Sequence, residues 1–130
     1  MEVVILENEP IKIGRVSRAI EKAVDKSFTC SCFVFVKEEH LNALAKAYPT
    51  TYLRRIEGIG ELIKDASFAS FDKDSKTLVV IKDYIKNGVF SLFGVNLTPI
   101  EIGWEASDIF RVTEEKALAI NAKGEIHPIA

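Results

Sequence analysis

Between residues 27 and 37 the side chains alternate along an extended chain. Phe28, Cys30, Cys32, Val34 and Val36 share one face, and Thr29, Ser31, Phe33, Phe35 and Lys37 the other. One face is wholly apolar and the other half apolar, which predicts a strand in the interior of a sheet. Upstream, residues 2–6 read as a short strand. Asn8 then caps a predicted helix that holds Pro10 in its first turn and runs to about Lys26. At helical spacing, Ile13, Val16, Ile20, Ala23 and Val24 gather on about a third of its circumference. A second helix is predicted over 38–48, with Leu41, Leu44, Ala45 and Tyr48 on one side and Pro49 ending it. A third, over 51–57, is expected to stop at Gly58.

The second half has the pattern of an antiparallel meander. Residues 67–72 and 77–82 predict two strands around a turn at 72–76. Asn87-Gly88, flanked by Tyr84-Ile85 and Val89-Phe90, predicts a two-residue hairpin, the rival being a helical turn stopped by Gly88. A further strand is expected over 99–104. A last hairpin is expected to join 117–120 to 125–129 across residues 121–124. These elements predict an α+β fold, with two or three helices on one face of a mixed, mainly antiparallel sheet. The length of 130 residues, with no linker, repeat or low-complexity tract, suits a single domain over residues 1–130.

Composition narrows the setting. Seventeen basic and nineteen acidic side chains give a formal charge of −2, which excludes a polycation. The apolar run at the start follows an acid and has only four residues, unlike a signal peptide, and no stretch is long enough to span a bilayer. The only two cysteines, Cys30 and Cys32, are two residues apart and suit a reducing interior, so a cytoplasmic protein without a membrane partner is expected. The lack of Gln and the single Met, beside abundant Lys and Glu, lean toward a thermophilic source.

Several residues invite chemistry. Arg15, Arg18, Lys22 and Lys26, bordered by Lys12, form a basic face on the predicted first helix. That face could hold a phosphate backbone or solvate the helix, with Glu21 and Asp25 balancing part of it. Residues 53–60, Leu-Arg-Arg-Ile-Glu-Gly-Ile-Gly, resemble the hairpin of helix-hairpin-helix DNA-binding modules, whose turn amides hold one phosphate. The resemblance departs downstream, where Lys64 stands at the position for a small apolar residue. Asp65, followed by a hairpin and Val79-Val80-Ile81-Lys82-Asp83, is similar to the metal-dependent nucleases of the PD-(D/E)xK class. There the acids hold a divalent ion and a lysine steadies the attacking water. Here Asp83 and Lys86 do not have the Glu-x-Lys spacing. Cys30 and Cys32 read as small core residues, since His40 and His127 are the only soft ligands left to complete a zinc site.

The leading expectation is therefore a non-enzymatic interaction module that associates with its own kind. Its interface is placed at Val89, Phe90, Leu92, Phe93 and Val95, where both faces of a strand are apolar. The first alternative is a nucleic-acid binder using Lys12, Arg15, Arg18, Lys22, Lys26, Arg54 and Arg55. The second is a degenerate metal-dependent nuclease, with Asp65 and Asp83 as its acids. No catalytic residue, metal site or cofactor is assigned, and the sequence names no small-molecule ligand.

Overall fold

The structure is a computed structural model and describes residues 11–24 and 33–129. Twelve elements follow in chain order: β1 (Ile11–Arg15), α1 (Arg18–Val24), β2 (Phe33–Val36), α2 (Glu38–Ala47), α3 (Tyr52–Lys64), β3 (Phe68–Asp72), β4 (Thr77–Lys86), β5 (Val89–Ile100), β6 (Gly103–Ala106), β7 (Phe110–Arg111), α4 (Glu114–Lys123) and β8 (His127–Pro128). The expected strand at 2–6, the Asn8 cap, Pro10, Lys26 and both cysteines lie outside the described residues.

The strands form one sheet in the order β1-β2-β6-β5-β4-β3-β8, with β7 added to β5. Every pairing is antiparallel except β2 with β6, where Val34 lies beside Trp104. The fold is α+β, as the pattern predicts. Alternate residues of β4 serve two cores. Leu78 and Val80 face a main core built with Val34, Val36, Val95, Leu97 and Trp104. Ile20 of α1, Leu41 of α2 and Ile59, Leu62 and Ile63 of α3 cover that side. Val79 and Ile81 face a smaller core, with Ala117 and Ile120 of α4, Phe110 and Val112. Three helices thus share one face, and a fourth lies on the other.

Four expectations are corrected. The first helix does not begin at Asn8 and pass through residues 11–15, because that stretch is β1, paired with β2. Its Ile-Lys-Ile alternation suits an extended chain, and Gly14 falls at the bulge where the register with β2 shifts. The helix starts after Ser17, whose hydroxyl accepts the Ile20 N–H at 3.3 Å. The third helix does not stop at Gly58. It runs on to Lys64, because Ile59, Leu62 and Ile63 bury completely against the sheet and outweigh the glycines. Residues 99–104 are not one strand, since β5 ends at Ile100 and β6 starts at Gly103, with Ile100 paired to Gly103 across the turn. The final hairpin is instead α4 followed by β8. Thr113 caps α4 by accepting the Lys116 N–H at 3.2 Å, and Glu114 and Glu115 occupy its first turn.

Candidate interaction surface

The long hairpin β4–β5 outruns its neighbours. β3 leaves β4 at the Phe68–Ile81 pair, and β6 leaves β5 at Leu97–Ala106. β7 adds only Phe93 and Gly94, and the Val112 N–H reaches the Leu92 carbonyl at 2.8 Å. Beyond that point the ribbon has no other strand beside it among the described residues. Asn87 and Gly88 close it with φ of 53° and 76°, the left-handed pair that a two-residue turn requires. Lys86 then faces Val89, and Ile85 faces Phe90.

This register sorts the side chains. Lys82, Tyr84 and Lys86 share the main-core side with Phe93, Ser91 and Val89. Asp83 and Ile85 share the α4 side with Leu92 and Phe90. Tyr84 and Phe93 meet edge to face with ring centres 5.4 Å apart. Burial, then the charges of Glu61 and Asp65, push the Tyr84 phenol above its ordinary pKa. Near the tip the cover ends, leaving Ile85, Val89 and Phe90 exposed at 74, 61 and 58%. Leu92 and Phe93 are half-buried. Val95 is corrected: it is wholly buried in the main core and offers nothing to a partner. Ile85 was missed by the sequence reading, although the turn's own register places it opposite Phe90.

The seven basic candidates do not form one helical face. Lys12 and Arg15 belong to β1, where the register with β2 shifts between Lys12 and Gly14. That bulge brings both cations opposite Phe35 and Phe33 on one sheet face. Lys12 Nζ lies 3.9 Å from the centre of the Phe33 ring and the Arg15 guanidinium 5.3 Å from it. Lys37 lies next to this face, in an ion pair with Glu105 at 3.2 Å. Arg18 and Lys22 are on α1, and Arg54 is exposed on α3. Arg55 is half-buried and turned back onto the fold, with Nη2 2.8 Å from Asp108 Oδ2 and the guanidinium 4.0 Å from the Tyr48 ring centre. The hydrogen bond to Asp108 raises the Arg55 pKa. This cation joins the end of α2, the helix α3 and the segment between β6 and β7.

The Gly58–Gly60 segment is continuous helix, so no phosphate-binding hairpin forms there. Asp65 and Asp83 are not brought together. Asp65 lies 3.6 Å from Lys82 Nζ, on the main-core side of β4. Asp83, one residue on, points to the other side and accepts the Ser67 hydroxyl. Among the described residues no three His, Cys, Asp or Glu side chains gather in a group that could hold a metal ion. No described helix is long and apolar enough to cross a membrane.

Compared with protein-family models, curated proteins and solved structures, the chain matches none.

Proposed function

We propose that this protein is a self-associating interaction module whose contact surface is the tip of the β4–β5 ribbon. One observation carries the reading. Ile85 and Phe90 form a cross-strand apolar pair that is more than half exposed, beside an exposed Val89, on a ribbon that no other strand flanks among the described residues. An antiparallel ribbon has an approximate twofold axis through each face. Two copies can therefore lay their Ile85–Phe90 pairs against each other without a second kind of surface. Covering the two side chains of this pair on each copy gives roughly 4–8 kcal/mol in total. Association itself costs about 4–15 kcal/mol, so a dimer of about millimolar strength is expected.

Sedimentation across a concentration series up to about 1 mM tests this, since even millimolar association is populated there. The wild-type chain is expected to shift toward dimer, and Phe90→Asp and Ile85→Asp to remain monomeric with unchanged circular dichroism. A strict monomer throughout the series refutes the proposal.

A second reading, nucleic-acid binding, is supported by Lys12 and Arg15, which the β1 bulge sets side by side next to Phe33. Adjacent cations on an aromatic sheet face are a feature of single-strand binding surfaces.

A further inference from the structure

Helix α4 crosses the sheet like a beam held at its two ends. At the start, Phe110 pairs with Gly94 and the Val112 N–H bonds the Leu92 carbonyl. At the finish, the Gly124 carbonyl accepts the Ser70 hydroxyl, and a Cβ at position 124 would sit 2.3 Å from the Phe71 carbonyl oxygen. Between these supports α4 has no buried residue. Ala117 and Ile120 touch the smaller core on one flank. On the other flank the helix stands off the sheet over a cleft of about 430 Å³.

The floor of this cleft is unusual for a sheet face under a helix. By register, Ser70 and Asn96 flank Val79, and Asp72 is paired with Thr77, so all five point to the same side. Four of the five are polar, where helix-on-sheet packing calls for apolar side chains. Ser70 and Val79 are already buried, and lowering α4 further would also cut Asp72, Thr77 and Asn96 off from water, which explains why the cleft stays open. From above, Lys116, Ala119, Ile120 and Lys123 form one stripe at i, i+3, i+4 and i+7. Asp72 is fixed in place by the backbone N–H groups of Asp74 and Ser75, at 3.0 and 3.4 Å. A hydrogen bond with the Ser75 side chain, these amides and the nearby Lys123 keep its carboxyl below the usual range, hence ionised. Lys123 offsets Asp72, and Lys116, whose Nζ rests 4.2 Å from the Phe110 ring centre, leaves the lining net positive.

We infer that this cleft binds a small hydroxylated organic anion, a carboxylate or a phosphate ester. Lys116 and Lys123 attract the charged group, Asp72, Thr77 and Asn96 meet hydroxyls, and Val79 with Ile120 supplies an apolar wall. The volume falls within the range of small-molecule sites, at its lower end. The site is independent of the ribbon tip: Thr77 and Ile85 lie at opposite ends of β4, about 26 Å apart along the strand.

The test is a ¹H–¹⁵N titration of the full chain with glycerol 3-phosphate, gluconate, glucose and inorganic phosphate. Saturable shifts at Thr77, Asn96, Lys116 and Lys123 are expected with at least one hydroxylated anion and not with glucose. Which of the two anions acts identifies the charged group. Lys116→Ala with Lys123→Ala should weaken binding tenfold or more. Ala119→Trp, at an exposed helix position, should fill the cleft and abolish binding with the rest of the spectrum unchanged. The inference is overturned by an absence of saturable shifts at about 10 mM, where a millimolar site would be filled. It is equally overturned if glucose binds as well as the anions, or if the shifts persist in Ala119→Trp.

Discussion

Two alanine substitutions two residues apart in α3 should move stability in opposite directions. Replacing glycine by alanine inside a helix gains about 0.8–1.0 kcal/mol from propensity alone. At Gly58 the new Cβ would lie 3.2 Å from Ile109 Cδ1, the far end of a flexible, half-buried side chain that can shift by a few tenths of an ångström. Most of the propensity gain should survive, so Gly58→Ala is expected to stabilise by about 0.5 kcal/mol. At Gly60 the Cβ would lie 2.9 Å from the Ile13 carbonyl oxygen. That atom is backbone, beside the bulge of a strand already paired to β2, and cannot move alone. Overpacking of this kind costs about 1–3 kcal/mol, which outweighs the gain. Gly60→Ala is expected to destabilise by about 1 kcal/mol net. Urea unfolding at constant m gives both values, and the midpoints should move in opposite senses. A Gly60→Ala protein as stable as Gly58→Ala would mean that β1 does not press on α3 there. Loss of more than about 1 kcal/mol at Gly58 would mean that α3 does not run through that position.

Two further outcomes are expected. The Arg55–Asp108 contact is about two-thirds buried on each side chain, so an Arg55→Ala, Asp108→Ala double-mutant cycle should give a coupling of up to about 1 kcal/mol; a coupling near zero would show that the pair does not tie α3 to the β6–β7 segment. On single-stranded DNA, if Lys12 and Arg15 hold phosphates, each alanine substitution should lower the salt slope of log affinity by about 0.7; no retention at low salt would dispose of that reading.

Much of the second half of the chain was legible in the residues themselves. A strand's period of two and the Asn87-Gly88 turn are local facts. The turn needs two left-handed residues, which asparagine and glycine adopt at little cost, so the hairpin and its register follow without any distant contact. The exposed Ile85–Phe90 pair could have been read from that register. The helix at 38–47 was legible for the same reason, since its apolar stripe and the following Pro49 are both local.

Elsewhere the local signal allowed two answers and a distant partner chose between them. Residues 11–15 fit either the start of a helix or a strand, and pairing with β2 made them a strand. Residues 117–120 alternate like a strand, yet Thr113 and the acids after it start a helix, and β3 takes β8 rather than this segment as its neighbour. The two glycines of α3 look like a stop. Burial of Ile59, Leu62 and Ile63 against strands far away in sequence carries the helix past them. The cleft under α4 was invisible for a related reason. Its floor comes from β3, β4 and β5 and its roof from α4, and no spacing along the chain shows that these polar side chains share one face. The sequence by itself therefore determined the elements whose hydrogen bonds close within a few residues. The tertiary structure decided those whose backbone groups could be satisfied in more than one way, because there the burial of apolar side chains against distant strands outweighs local preference.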